Sequence, residues 1–292
     1  MNAELHDRAL GAYLGLAVGD ALGATVEFMQ PREIRYQYGV HQDIIGGGWL
    51  KLKAGRVTDD TEMALALGSA LIASNGWNTN AVADAFVAWL KSKPVDVGNT
   101  CRRGIQRYML DGSLSGPVSE GDAGNGAAMR IIPLVLATLH DDEAFRLQML
   151  QQAHLTHHHP LSDAATLVLG EMTRTLVKGG GIKQCREIVK PLLRAHPKFQ
   201  FHPYPGRASG YIVDTMQTVL HHFFITDSFE SLVVDTVNRG EDADTTGAIV
   251  GMLGGALYGA NAIPERWLDK LDSTVQNSIC KQVEELLRLA GE

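Results

Sequence analysis

The sequence predicts a single all-α domain spanning residues 1–292. Apolar residues recur at mixed three- and four-residue spacing in segment after segment. Two-residue alternation is scarce. No internal repeat, long Pro/Ser linker or block of like charge divides the chain.

Taken in order, the spacing predicts helices over 9–22, 62–73, 81–91, 128–139, 164–177 and 275–289. Glycine marks the breaks. "GGGWLKLKAG" (46–55), "EGDAGNGAAM" (120–129) and "KGGG" (178–181) read as loops, and the first two precede helices. The stretch "FFITDSFESLVVDTV" (223–237) is the best strand candidate, and a helix explains it as well. The most apolar run, 248–263, is Gly-rich and too short to span a bilayer, so it reads as a buried helix.

Composition narrows the function classes. With 45% hydrophobic residues the chain can bury a large core. A net charge of −7 argues against nucleic acid or an anionic membrane as the main partner. Cys101, Cys185 and Cys280 are far apart and form no CxxC pair, so a reducing, cytoplasmic compartment is expected. The N-terminus "MNAELHDRAL" has no apolar run of the kind a signal peptide needs.

Two acidic clusters carry the chemistry. In "GRVTDDTEMALALGSALI" (55–72), Asp59 and Asp60 stand between Thr58 and Thr61, directly ahead of an apolar helical pattern. In "NRGEDADTTGAIVGM", Asp242, Asp244, Thr245 and Thr246 stand in the same relation to the helix behind them. The second stretch begins like a calcium EF-hand loop, but Leu253 occupies the position that needs a bidentate Glu. Either cluster alone is explained by helix capping. Capping needs one acceptor, however, and each cluster carries more. Brought together, four carboxylates and several threonine oxygens would require a hard divalent ion as compensation.

Other motifs are weaker. Gly124 and Gly126 give a GxG, but the third glycine of a dinucleotide fingerprint is missing and no strand leads in. A glycine-rich loop opening a helix still suits phosphate. His157, His158 and His159 lack a nearby cysteine to complete a zinc set. Tyr211 reads equally as core or ligand contact.

The motifs "GAYLGLAVGDALGATVEFM", "VTDDTEM", "PVDVGNTCRRGI", "EGDAGNGAAMR", "THHHPLSDAA" and "VNRGEDADTTGAIVGMLGGALYG" resemble the ADP-ribosylglycohydrolase family. They are most similar to its bacterial branch, the dinitrogenase reductase-activating glycohydrolases, from about His6 to the C-terminal helix. The resemblance implies a compact all-α fold, a pair of divalent ions (Mn2+, with Mg2+ as the alternative) in a cleft, and removal of ADP-ribose from an arginine side chain. It places metal ligands at Thr58, Asp59, Asp60, Asp242, Asp244 and Thr245. It places acid/base work at Asp96, with Glu27 facing the metals. ADP-ribose contacts fall on Glu120, Gly121, Asp122, Asn125, Gly126 and Met129, and further contacts on Asn99, His157 and Tyr211. Arg239 and Glu241 stand where the family pattern has Gln and Gly, a departure expected to alter the charge at the rim of the site.

The implied partner is the ADP-ribosylated iron protein of nitrogenase, dinitrogenase reductase. A PII-type nitrogen-signalling protein is a further implied partner and would bring the enzyme to a membrane indirectly. Two alternatives stand beside this reading. One is a hydrolase of ADP-ribosyl-serine or of O-linked esters. The other is a non-catalytic ADP-ribose-binding protein, which the intact ligand set disfavours.

Overall fold

The computed structural model describes residues 2–292. It contains helices α1 (Ala3–Gly23), α2 (Pro31–Tyr38), α3 (Asp59–Ala73), α4 (Thr79–Lys91), α5 (Asn99–Asp111), α6 (Ile132–Ala137), α7 (Asp142–His154) and α8 (Pro160–Val177). The second half adds α9 (Ile182–Ala195), α10 (Ile212–Ile225), α11 (Phe229–Val237), α12 (Ala243–Tyr258), α13 (Glu265–Leu268) and α14 (Ser273–Leu289). Among the described residues β-pairing is confined to isolated bridges, Gly47 with Leu52 and Gly124 with Tyr211.

The expected helices are present, with three differences. The apolar run 248–263 is helical only to Tyr258, because Gly259 at φ +83 ends α12 and the residues after it form a partly exposed turn. The segment 128–139 is helical only over Ile132–Ala137, because Pro133 sets the first turn and residues before it continue the preceding loop as turns. The candidate strand at 223–237 is the end of α10, a short break and all of α11. Ser228 caps α11, its hydroxyl accepting from Ser231 N–H, so the break is a helix start rather than a hairpin.

The centre of the molecule is the pair α1 and α12, which run antiparallel. Neither helix is amphipathic. Every residue of α1 from Gly11 to Gly23 is buried, and so is every residue of α12 from Ala243 to Ala256. A helix apolar all round must lie inside the protein. What lets the two lie so close is a four-residue glycine repeat on α1. A Cβ placed on Gly11, Gly15, Gly19 or Gly23 would meet the carbonyl oxygen of Gly255, Gly251, Gly247 or Ala243 at 2.5, 2.2, 2.0 or 2.1 Å. The helices therefore touch backbone to backbone, at a spacing that suits Cα–H···O contacts. Each glycine costs about 1 kcal/mol of helix propensity relative to alanine, so the close approach is bought with local stability.

The remaining helices pack round this pair. α8, α10 and α11 cover α12; α3, α8 and α14 cover α1; α4 and α6 lie on α3. No described helix is long and apolar enough to cross a membrane.

Candidate active site

The glycine seam fixes which residues meet at its end. The last turn of α1 lies against the first turn of α12, because Gly23 faces Ala243. Asp20, in that last turn, is fully buried. Its carboxylate accepts from the N–H groups of Thr58 (3.0 Å) and Thr61 (3.1 Å), and from their hydroxyls at 2.9 and 2.5 Å. Helix α3 is thus capped from α1. Thr58 and Asp242, the N-cap residues of α3 and α12, make no capping bond with their own side chains. Of the cluster carboxylates, Asp244 alone accepts from a first-turn N–H, that of Thr245 at 2.9 Å, so capping does not account for the two acidic clusters.

The carboxylates face one another. Glu27, Asp242 and Asp244 each offer an oxygen, and these atoms lie within 4.8 Å of one another. Thr245 Oγ1 lies 3.3 Å from Asp60 Oδ2, and Thr58 Oγ1 lies 3.4 Å from the same oxygen and 3.5 Å from Asp244 Oδ2. Asp59 Oδ2 accepts from the N–H of Gly98 at 3.1 Å, which ties the 92–98 loop to the cluster. Clusters from α3, α12 and the turn after α1 thus converge on one acidic centre.

The electrostatics follow. Burial pushes the Glu27 carboxyl up to about 8, with Asp242 and Asp96 adding to the rise and the Trp49 indole opposing it. Burial also lifts Asp59 to about 7, helped by Asp96. Asp20 and Asp242 rise to about 6, again chiefly through burial. Asp60 and Asp244 are raised well above the carboxylate range by burial and then by their acidic neighbours. So many carboxylates cannot all be ionised here unless a cation neutralises them. One atom speaks to this directly: Asp60 Oδ1 is buried and has no hydrogen-bond partner. An orphaned anionic oxygen among hard-oxygen neighbours is what a divalent ion would complete. The donor set fits a hard divalent metal and contains none of the Cys or His ligands that zinc sites favour.

The acidic centre opens into a cleft of about 600 Å³. Glu27, Asp59, Asp242, Asp244 and Thr245 form its acidic side. Asp96 lines it from the loop between α4 and α5, its Oδ1 accepting from Val97 N–H at 2.7 Å, and Asn99 opens α5 beside it. Asn125, Gly126, Met129 and His157 form the other side. Thr58 and Asp60 stand behind this lining, fully buried.

The glycine loop lies flat on His157. A Cβ on Gly124 would come within 3.0 Å of His157 Nε2; one on Gly126 would sit 2.8 Å from His157 Cε1 and 2.9 Å from Cys101 Sγ. His157 is almost completely buried, and burial drops its imidazole to about 3, with Arg130 and Arg103 lowering it further, so it is neutral. Its Nδ1 pairs with Thr156 Oγ1 at 2.8 Å, and that hydroxyl also accepts from the buried Arg130. Asn125 donates to Asp242 and to Thr215, binding the loop to the acidic centre. His158 and His159 have other partners: His158 Nδ1 meets Gly116 O at 2.7 Å, and His159 Nδ1 accepts from Leu161 N–H as the cap of α8.

Four expected contacts are not part of the cleft lining. Glu120 and Gly121 are exposed, and the Glu120 carboxylate reaches His159. Asp122 is buried, where it pairs with Arg103 and accepts from His158 N–H. Tyr211 is 39% exposed and bridges to Gly124 through its backbone. Arg239 and Glu241 also lie off the lining. Arg239 stacks 5.1 Å above Tyr204. Glu241 has φ +52, a conformation that favours glycine, and its carboxylate accepts from Ala208 N–H at 2.8 Å. That bond offsets the cost of a side chain where the family pattern has glycine.

Two residues escaped the reading of the sequence. Asp20 was hidden inside an apolar helix; a lone aspartate in "GLAVGDALG" was the available signal, since a buried carboxylate must find donors. Trp49, whose indole N–H donates to Glu27 Oε2, sits in a stretch with no pattern of its own.

The profile of the ADP-ribosylglycohydrolase family matches residues 1–292. The chain belongs to the ADP-ribosylglycohydrolase family. It is 59% identical to the ADP-ribosyl-[dinitrogen reductase] glycohydrolase of Rhodospirillum rubrum, over 99% of this chain and 98% of that one. It is 32% identical to the ADP-ribosylarginine hydrolase Tri1 of Serratia proteamaculans, over 99% of this chain and 81% of the relative. A solved ADP-ribosylglycohydrolase-related protein complex superposes with a TM-score of 0.87 at 32% identity, over 99% of this chain and all of that one. The ADP-ribosylglycohydrolase fold thus accounts for the helical architecture from end to end.

Proposed function

We propose that this ADP-ribosylglycohydrolase removes ADP-ribose from a modified arginine, with dinitrogenase reductase as the protein that carries it. The relatives named for dinitrogen reductase and for ADP-ribosylarginine support this reading. The observation that carries it is the acidic centre with its unpartnered Asp60 oxygen, facing a cleft wide enough for a nucleotide sugar. Thr58, Asp59, Asp60, Asp242, Asp244 and Thr245 would hold two divalent ions, Mn2+ in preference to Mg2+. Such ions would orient the ribose hydroxyls and polarise the carbon–nitrogen bond.

The rest is work for the chain itself. The reaction adds water to the ribose carbon and breaks its bond to the guanidine nitrogen; the water's proton must leave and the nitrogen must gain one. Asp96 stands in the cleft with a free carboxylate oxygen, and it is assigned that proton transfer. Glu27, held by Trp49, takes the second place. The backbone of 124–126 and the neutral His157 bind the nucleotide end without repelling it. Glu120, Gly121, Asp122 and Tyr211 are assigned to the rim, where Asp122 holds the loop through Arg103. The acidic side suits a cationic arginine. A cytoplasmic enzyme follows from this reading, with a PII-type protein as a candidate regulator.

Incubation with ADP-ribosyl-arginine and ADP-ribosyl-serine peptides, with and without Mn2+, tests it by mass spectrometry. Release from arginine only with metal is expected. Release from serine alone would move the assignment to the O-linked class, and binding without turnover would make the protein an ADP-ribose reader.

A further inference from the structure

A second concavity, a groove of about 770 Å³, adjoins the cleft and shares Glu27, Phe28 and Trp49 with it. Helix α2 forms its outer wall, and only Ile34 of that helix is buried. The groove presents aromatic side chains to solvent: Tyr36 is 94% exposed, Phe28 63% and Trp49 50%. Phe28 and Trp49 pack against each other with ring centroids 5.2 Å apart and planes inclined by 54°.

The placement of Phe28 is enforced. Its φ is +63, a conformation that bulky residues rarely adopt. Paired backbone bonds hold it there, Phe28 N–H to Glu241 O and Glu241 N–H to Met29 O. A hydrophobic ring kept outside the core by a left-handed backbone is a feature retained for contact.

We propose that this groove is the acceptor site, binding the polypeptide on either side of the modified arginine. This rests on the arginine reading above. Continuity decides the occupant. The glycine loop and His157 take the nucleotide end on one side of the acidic centre. A segment attached to the arginine must then leave on the side of Glu27, Phe28 and Trp49, which opens straight into the groove. Rigid aromatic surfaces give contact area at low entropic cost and are the usual anchors of protein interfaces. Free ADP-ribosyl-arginine has no polypeptide to place there and gains nothing from it.

Steady-state kinetics on two substrates test the proposal, using ADP-ribosylated dinitrogenase reductase and free ADP-ribosyl-arginine, both with Mn2+. Tyr36→Ala should raise KM for the protein substrate roughly tenfold, the effect of losing an aromatic anchor. Its kcat/KM for free ADP-ribosyl-arginine should stay within about twofold of the parent, and Tyr36→Phe should restore the protein KM. Tyr36 is nearly fully exposed, so circular dichroism should show an unchanged fold. Equal losses on both substrates, or no loss on the protein, would overturn the groove while leaving the arginine reading intact. A parent dimer that dissociates in Tyr36→Ala would do the same by assigning the groove to a second copy. A parent that turns over neither substrate would overturn both readings.

Discussion

Replacing Gly19 with alanine tests whether the glycine seam positions the active site. The new Cβ would stand 2.0 Å from the Gly247 carbonyl oxygen and 2.4 Å from its carbon. The closest comfortable carbon–oxygen approach is about 3.3 Å. The helices must therefore part locally by about 1.3 Å, and a backbone carbonyl cannot swing aside as a side chain would. Overpacking of this kind costs about 1–3 kcal/mol or more, against a propensity gain of about 1 kcal/mol. A net loss of up to about 2 kcal/mol should lower the melting temperature of a chain this long by roughly 3 °C. Asp20 is the next residue of α1, and Asp244 lies three residues before Gly247 on α12. A shift of about 1 Å in catalytic geometry costs on the order of 10²-fold in rate. Differential scanning fluorimetry and turnover of ADP-ribosyl-arginine would be measured together. Gly181→Ala, where the nearest atom is 3.8 Å from the new Cβ, serves as the control. If Gly19→Ala melts within about 1 °C of the parent and turns over normally, the seam is not what sets the site.

Asp60→Asn should abolish tight Mn2+ binding by calorimetry yet leave the metal-free protein about as stable, because burial already favours the neutral Asp60 carboxyl there and its Oδ1 has no partner to lose. Asp96→Asn should lower turnover roughly 10²–10⁴-fold with Mn2+ content and ADP-ribose affinity nearly unchanged; near-parent turnover would move proton transfer to Glu27. Gly126→Val should weaken ADP-ribose binding by calorimetry, since even its Cβ would strike His157 and Cys101; unchanged affinity in a folded protein would refute the loop's role. Metal-free protein should lose stability as pH rises from about 4 to 8. Glu27, Asp59, Asp20 and Asp242 have raised pKa values in the fold, so the native state holds more protons than the unfolded chain across that window. A melting temperature that climbs with pH in the presence of a chelator would contradict this.

The acidic clusters and most helices were legible because they depend on local pattern: apolar spacing, and aspartates at helix starts. Their convergence was not, since it depends on the approach of helix starts 185 residues apart along the chain. The glycines of α1 were visible, but their partners on α12 could be named only from the packed structure. Asp20 was missed for a related reason. An aspartate in an apolar helix carries no local sign of the helix it will cap. The shortening of 128–139 shows the opposite limit. There Pro133, in the first turn of α6, marks a helix start four residues later than the apolar spacing from residue 128 suggests.

The pairing of α1 with α12 also has a consequence for how the chain comes off the ribosome. The first helix made is the one that ends at the centre, and its partner surface spans residues 243–255. At roughly 5–20 residues per second, synthesis reaches that surface on the order of 10–50 s after α1 has emerged. Throughout that interval an almost wholly apolar segment has no mate, and Thr58 and Thr61 can be capped by Asp20 only on an unfinished scaffold. Nascent chains arrested before residue 243 should therefore be held by chaperones and cut readily by protease. Chains that also carry α14, which covers α1, should become resistant in a single step.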